Sequence, residues 1–196
     1  MRETREQIIQ VAGRLFLHRN YDGVSIQDIT RAAGMTKGAL YHHFTGKEQL
    51  FEEVAHDLVG SFHTDFSALP GDSLRHFYTT LVERIRSRGE GGQRAGSPAP
   101  GINVYNLLWD AVRILPGFRA AMEAFNTLEH QAWTAAIQAG IDRGEIRGGL
   151  EAGQLARIFM AVPDGVTITS MLKGGPASGY GEIQGLWDAL YQALKR

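Results

Sequence analysis

Cysteine is absent from the 196-residue chain. Its absence excludes disulfide bonds, thiolate metal ligands and cysteine nucleophiles, and nothing points to an oxidising compartment. Long apolar runs are absent too, since no stretch approaches the roughly 18 uncharged apolar residues that a transmembrane helix needs. The first residues carry the charges of Arg2, Glu3, Arg5 and Glu6, where a signal peptide would be apolar. We therefore expect a cytoplasmic protein with no membrane partner.

A strong charge of either sign is also lacking. The formal net charge is −1, and the hydrophobic share of 43% and charged share of 21% are those of an ordinary globular protein. Lysine and arginine outnumber acidic residues by seven to five in residues 1–50, whereas acidic residues lead by sixteen to thirteen in the remainder. The basic excess near the N-terminus suits nucleic acid, although two differently solvated surfaces would give the same pattern.

Helical periodicity is the main signal in the chain, and no alternation typical of strands competes with it. The first helix is predicted from about Thr4 to Arg19, with Thr4 and Gln7 as a capping box, and another helix follows a second capping box of Thr45 and Glu48. Further helices are predicted over 72–88, 103–114, 118–140, 155–162 with a bend at Pro163, and 183–194, with a mobile glycine-rich loop over 89–101. The fold is predicted to be all-α, with about nine helices.

Two short helices joined by a tight turn are predicted within residues 25–44. Ser25 and Asp28 form a capping box at the start of the first, and Gly34 is expected to end it. Thr36 is expected to cap the second, which runs to about His43. This is the helix-turn-helix arrangement, in which the second helix is short enough to enter the major groove of DNA.

The outward face of that second helix favours a polar partner. Leu40 and Phe44 share its inward face, which leaves an exposed side that contains Lys37, Gly38, Tyr41 and His42. Lysine can meet a phosphate or guanine, glycine lets the backbone approach closely, and tyrosine and histidine can hydrogen-bond phosphates or base edges. These residues are therefore predicted to contact double-stranded DNA.

The N-terminal quarter of the chain strongly resembles the TetR family of transcriptional regulators. The resemblance rests on four segments, which are residues 4–9 with Leu15 and Phe16, residues 23–29, residues 33–44, and residues 47–50. It implies that the positions turned towards DNA are Ser25, Gln27, Thr36, Lys37, Tyr41, His42 and Lys47. Lys47 also begins a helix, whose free N–H groups suit a phosphate. Thr30 departs from the alanine that is usual at its position, which bears on the packing of the two helices.

The same resemblance implies what the rest of the chain does. Residues 1–48 would form the three-helix DNA-binding domain, and residues 49–196 a larger helical domain for effector binding and dimerisation. An apolar or aromatic effector would be lined by Phe62, His63, Phe66, Asn106, Trp109, Met122, Phe125, His130 and Trp133. The last helices would pair with their copies through Phe159, Ile183, Leu186, Trp187, Leu190 and Tyr191. For each of these residues, an ordinary core position is the alternative. The spacing of the histidines predicts no metal site, and no cofactor is expected.

Two other functional classes compete with a regulator. An enzyme is disfavoured because the chain has no nucleophile motif, no paired-carboxylate signature and no glycine-rich phosphate loop after a strand. A helical ligand-binding or scaffold protein explains the helices, the near-neutral charge and the aromatic residues, but it does not explain residues 36–43. The sequence therefore predicts a ligand-responsive regulator, a repressor that binds a near-palindromic operator as a homodimer. Binding to DNA that weakens as salt increases would distinguish this regulator from a scaffold protein.

Overall fold

The computed structural model describes residues 2–62, 64–94, 102–172 and 179–196. Within these ranges the chain forms nine α-helices and no named strand, which confirms the all-α prediction. The helices are α1 (Arg2–Arg19), α2 (Ile26–Ala33), α3 (Lys37–His43), α4 (Lys47–Phe62), α5 (Leu74–Arg94), α6 (Ile102–Ile114), α7 (Phe118–Asp142), α8 (Ala152–Leu172) and α9 (Tyr180–Leu194). A single 3-10 turn, Phe66–Ala68, precedes α5.

Three local predictions were wrong. Helix α1 begins at Arg2, so Thr4 lies inside the helix and cannot cap it. Thr45 pairs with Gln49 rather than Glu48, because both its backbone N–H and its hydroxyl donate to the Gln49 side-chain oxygen, at 2.7 and 3.0 Å. Helix α5 continues to Arg94, so residues 89–94 are helical and not a loop. Glycine weakens a helix by about 1 kcal/mol relative to alanine but does not forbid it. Residues 95–101 lie outside the described residues.

The chain divides into two compact units, of which the first comprises Met1–His63 and Gly92–Arg119. In this unit α1 contacts α2, α4 and α6, α4 contacts α6, and α2 contacts α3. Its core contains an aromatic cluster in which the Phe51 ring lies 5.0 Å from that of Phe16 and 4.8 Å from that of Tyr21. Burial of the two phenylalanine rings and of Ile8, Ile29 and Leu40 removes the apolar faces of the short helices from water. The helix-turn-helix is therefore packed on a hydrophobic core.

The second unit comprises Thr64–Gly91 and Ala120–Arg196. Its centre is Trp133, which stacks on Phe159 at 5.1 Å and meets the edges of Phe77 and Trp187, both at 5.0 Å. Tyr78 lies beside this cluster, and its hydroxyl donates to Asp188 at 2.6 Å. The four central aromatic side chains are buried, so they form the core of this unit. The predicted domain boundary between residues 48 and 49 falls at the start of α4 and stays a prediction.

Helix α8 continues through Pro163, where the sequence predicts a bend. Proline has no N–H to donate to the carbonyl four residues earlier, which here belongs to Phe159. The helix nevertheless spans Ala152–Leu172 without interruption. In the part of the chain that the structure describes, none of the helices has the length and apolar composition needed to cross a membrane.

Candidate nucleic-acid interface

Helix α2 begins at a complete capping box. The backbone N–H of Asp28 donates to the Ser25 hydroxyl at 3.1 Å, and the backbone N–H of Ser25 donates to the Asp28 carboxylate at 3.0 Å. The helix ends at Gly34, whose φ of 66° lies in the left-handed region that glycine adopts without strain. Both predicted boundaries of α2 are confirmed. They were predictable because a cap depends on residues only three or four positions apart in the sequence.

Helix α3 starts at Lys37, directly after its predicted cap Thr36. The Thr36 hydroxyl accepts the backbone N–H of Ala39 at 3.2 Å, and Leu40 and Phe44 are buried. The buried pair fixes how the helix is rotated about its axis. Lys37, Gly38, Tyr41 and His42 therefore lie on the exposed side, as predicted, with Tyr41 52% exposed.

Gly38 has no structural reason inside the protein to be glycine. It lies in α3, and a Cβ placed on it would meet only the Thr36 hydroxyl, at 3.9 Å. An alanine here would fill open space and would suit the helix better. The open space around Gly38 is therefore available to a second molecule that approaches the helix backbone closely.

Ser25 and Gln27 are exposed near the start of α2, and Thr36 is exposed at the start of α3. Thr30, the departure from the family pattern, is buried between the helices, and its hydroxyl donates to the Gln27 carbonyl at 3.1 Å. Because that hydroxyl has a partner, the substitution leaves no unsatisfied polar group in the core. The helix-turn-helix packs with threonine at this position.

Lys47 has partners that the sequence does not predict. Its ammonium donates to the carbonyl oxygens of Tyr21 at 3.1 Å and Val24 at 3.0 Å, and it lies 4.0 Å from the centre of the Tyr21 ring. The predicted role of phosphate contact is therefore one of two possible roles for this side chain. Its partners lie 23 and 26 positions away in the sequence, so no local motif announces them.

Asp110 and Arg113 of α6 make contacts that were not predicted from the sequence. The Asp110 carboxylate accepts the backbone N–H of Tyr21 at 2.7 Å, and Arg113 donates to both Asp22 and Asp110 at 2.8 Å. These contacts attach the α1–α2 loop to a helix almost ninety positions further along the chain. A carboxylate and an arginine three residues apart on a helix are too common a pair to identify such a contact.

The electrostatics of the motif favour an ionised Asp28. Hydrogen bonds from the Ser25 hydroxyl and backbone N–H hold the pKa of Asp28 below its usual value, and Arg19 and Arg31 add a smaller effect in the same direction. The carboxylate is thus a cap acceptor at the start of α2. It neutralises part of the positive end of the helix dipole.

Comparison with known proteins places this motif in a family. The family model described as bacterial regulatory proteins, tetR family, matches residues 8–54, which contain the whole of α2 and α3. This part of the chain is a tetR-family sequence. The HTH-type transcriptional repressor KstR2 of Mycolicibacterium smegmatis is 27% identical to this chain over 180 residues, which are 89% of this chain and 82% of the repressor.

Solved structures of tetR-family proteins show the same fold along the whole chain. A transcriptional regulator from Saccharomonospora viridis, solved in complex with choline, superposes with a TM-score of 0.70 at 20% identity, covering 100% of both chains. AibR, solved with isovaleryl coenzyme A and operator DNA, superposes with a TM-score of 0.60 at 21% identity, covering 98% of both chains. At these identities the similarity establishes the fold of the chain.

The effector-lining residues predicted for the tetR family are distributed over both compact units. Asn106 and Trp109 belong to the first and are exposed, the indole of Trp109 by 78%. In the second unit, Phe66 and Phe125 are half-buried with ring centres 6.0 Å apart, Met122 is half-buried, and His130 hydrogen-bonds the Gly153 carbonyl at 3.0 Å. Trp133 is a core residue. His63 and the side chain of Phe62 lie outside the described residues.

Most of the predicted dimer residues lie in the core of a single copy, so their role in pairing stays a prediction. Phe159, Ile183, Trp187 and Tyr191 are all less than 9% exposed within one copy, so they have almost no surface left for a partner. Leu190 is partly buried against the same core. Of the six residues, Leu186 alone is exposed, by 43%. Periodicity identified the apolar stripe of α9 but could not say whether that stripe faces the protein's own core or a partner.

A different apolar stripe is exposed on α8. It consists of Ile158, Ala161, Gly165, Ile168 and Leu172, spaced three and four residues apart on one face of the helix. Beside it runs an open groove of about 270 Å³ between α8 and α9, which Leu186 also lines.

Among the described residues, no group of three or more His, Asp or Glu side chains converges as a metal site.

Proposed function

We propose that this chain is a ligand-responsive transcriptional repressor that binds a near-palindromic operator as a homodimer and is released by a small apolar or aromatic effector. The observation that carries the proposal is the exposed face of α3. Its outward residues are polar or small, and its buried residues anchor it on a helix-turn-helix of the tetR family. A regulator of this family has a use for such a face, whereas a scaffold protein has none.

Contact with the major groove would come from both helices of the motif. Lys37, Tyr41 and His42 would reach phosphates or base edges from α3, and Gly38 would let its backbone approach DNA closely. Ser25, Gln27 and Thr36, at the starts of α2 and α3, would complete the set. The partial positive charge at the start of α3 adds to the attraction for phosphate. Lys47 differs from these residues because its ammonium already has protein partners.

Pairing of two copies would use the exposed stripe of α8 with Leu186 of α9. A stripe that combines isoleucine and leucine with alanine and glycine is typical of closely packed helix pairs and is costly to leave in water. With both helices contributing, two copies related by a two-fold axis would form a four-helix interface. The stripe lies beside the residues named from the sequence and takes their place in the proposal.

A half-buried aromatic pair supports an effector site in the second unit. Phe66, Phe125 and Met122 are neither fully in the core nor fully in water, which suits the wall of a ligand pocket. Two proteins of similar fold were solved with small molecules of different chemistry, choline and isovaleryl coenzyme A. The effector proposed for this chain is apolar or aromatic because its candidate lining is.

Selection of bound duplexes from a random-sequence DNA pool tests the proposal. A homodimer that reads two half-sites should enrich a near-palindrome whose half-site centres are about 34–36 Å apart, or modestly more. The Tyr41→Ala variant, which keeps the core intact, should enrich nothing. An unenriched pool after several rounds with folded wild-type protein would refute DNA reading by this chain.

A further inference from the structure

Lys47 is the first residue of α4, a position that is electrostatically poor for a cation. The N-terminus of a helix carries a partial positive charge, which disfavours a lysine there. The structure compensates by placing two carbonyl oxygens within 3.1 Å of the ammonium, those of Tyr21 and Val24. The side chain is half-buried rather than extended into solvent. Lys47 therefore behaves as part of the protein's framework.

The hydrogen-bonding capacity of the ammonium is largely used inside the protein. A lysine ammonium has three N–H groups. Two are directed at the carbonyls, and the Tyr21 ring, 4.0 Å away, provides a cation–π surface for the charge. A phosphate could bind at most the third N–H without displacing one of the two carbonyls. The geometry thus favours an internal role over phosphate contact.

The two carbonyls belong to the loop between α1 and α2, which is tightly built. Asn20 adopts a φ of 58°, and its side chain accepts the Gly23 N–H at 3.0 Å. A Cβ on Gly23 would lie 2.4 Å from the Arg19 carbonyl, so no other residue fits there without a shift. The loop ends at Val24, directly before Ser25, the cap of α2. The position of the loop therefore sets where the helix-turn-helix starts.

The same loop is held from its other side by α6. Asp110 accepts the Tyr21 N–H at 2.7 Å, and Arg113 bridges Asp22 and Asp110. Tyr21 thus has its carbonyl bound by Lys47 and its N–H bound by Asp110. Loss of either partner therefore leaves one of the two backbone polar groups of Tyr21 without its side-chain hydrogen bond.

We propose that Lys47 is a positioning residue, which supports DNA binding by fixing the α1–α2 loop rather than by contacting phosphate. This inference rests on the proposed DNA-binding function. It predicts that Lys47 and Asp110 act alike, although one is a cation and the other an anion. A phosphate contact would instead make Lys47 resemble Lys37, which is exposed on α3.

The test compares Lys47→Met, Lys47→Arg, Asp110→Asn and Lys37→Met in the full chain, with Lys195→Met as a control that removes an equal charge from an exposed C-terminal side chain. Affinity for a duplex enriched from a random pool is measured against salt, and backbone amide exchange of residues 21–25 is measured without DNA. Loss of one phosphate contact in each of two copies lowers the slope of log affinity against log salt by about 1.8.

We expect Lys47→Met and Asp110→Asn to weaken binding about tenfold or more, with a slope close to that of the wild type and faster exchange at residues 21–25. Lys47→Arg should fail to restore exchange protection, because a planar guanidinium does not replace an ammonium between two carbonyls and a ring. Lys37→Met should lower the slope and leave exchange unchanged.

A Lys47→Met protein that loses slope like Lys37→Met, keeps its exchange protection, and is rescued by arginine would overturn the positioning role. Wild-type protein that binds no duplex at any salt concentration would instead refute the DNA-binding function itself. In that case the exchange measurements on the free protein still decide whether Lys47 holds the loop.

Discussion

The indole N–H of Trp187 donates to the carbonyl oxygen of Phe159 at 2.8 Å. This carbonyl is the one that Pro163, four residues later in α8, cannot bond. Helix α9 thus supplies, through a side chain, the hydrogen bond that proline removes from α8. The contact explains how the proline is tolerated inside α8, and it fixes the two helices in register.

Removal of the indole should therefore lower the free energy of unfolding by more than the lost packing alone explains. Trp187→Phe leaves the buried Phe159 carbonyl without a partner, which costs about 1–3 kcal/mol beyond the loss of packing. Pro163→Ala restores a backbone N–H to that carbonyl, so Trp187→Phe should be less damaging by about 1 kcal/mol or more in the Pro163→Ala background. Urea unfolding of the four proteins measures the coupling. Additive effects of the two substitutions would show that the hydrogen bond does not compensate for the proline.

Gly38→Ala should separate DNA binding from stability. The added Cβ meets nothing closer than 3.9 Å, and alanine favours a helix by up to about 1 kcal/mol, so the melting temperature should hold or rise. DNA affinity should fall about tenfold, equivalent to about 1.4 kcal/mol, because the methyl group occupies space proposed for DNA. Gly60→Ala is a matched control in α4, where the added Cβ also meets nothing. Unchanged DNA affinity of Gly38→Ala would remove the close approach from the proposal.

The capping box of α2 should contribute to the acid sensitivity of the fold. The folded-state pKa of Asp28 is lowered, chiefly by the Ser25 hydroxyl, so its stabilising contribution is present above the unfolded-state pKa of about 3.9. That contribution is lost as the pH falls through the folded-state pKa. Asp28→Asn should therefore lower stability at neutral pH and flatten its fall below about pH 4. An equal fall in both proteins, followed by thermal unfolding between pH 2 and 7, would contradict the role of Asp28.

Charge on the exposed stripe of α8 should separate the two copies. Ile158→Glu together with Leu186→Glu places unpaired charges in the proposed interface and should weaken dimerisation about 100-fold or more. The monomer should stay folded, since these side chains are 46% and 43% exposed within one copy. Leu150→Glu, at another exposed leucine, is the control. Sedimentation of an intact double-variant dimer would move the interface elsewhere.

An apolar or aromatic effector should act on stability and DNA binding together. A ligand that binds the folded protein raises the melting temperature by mass action, and operator DNA must lower its affinity by the same factor by which it lowers DNA affinity. This coupling is typically about 1–3 kcal/mol. Met122→Trp, which places a larger side chain at this half-buried position, should abolish the response to the effector and keep DNA binding. A normal response of this variant would exclude Met122 from the pocket.

The elements that could be predicted from the sequence are those that local chemistry decides. Ser25, Asp28, Gly34 and Thr36 act within four residues of themselves, so the bounds of α2 and α3 follow from the sequence. Leu40 and Phe44 lie four residues apart, which was enough to orient α3. The exposed face of the candidate site was predictable for the same reason.

The features that could not be predicted depend on distant partners. Lys47 bonds carbonyls 23 and 26 residues away, and Asp110 bonds an N–H 89 residues away. The apolar stripe of α9 was visible in the sequence, but only the packing of Trp187 against Phe159 shows that it faces the core. Continuation of α5 through Gly89 contradicted a local preference too weak to end a helix.

DNA reading by α3 is measured by the binding of a labelled duplex, enriched from a random pool, to wild-type protein and to Tyr41→Ala across a range of salt concentrations. We expect wild-type affinity to fall steeply with salt, by several decades between 50 and about 200 mM for six or more phosphate contacts. Tyr41→Ala should melt at the same temperature but prefer the enriched duplex over a scrambled one far less. Equal affinity of the wild type for both duplexes, or no binding at low salt, would contradict the assignment of α3 as the DNA-reading helix.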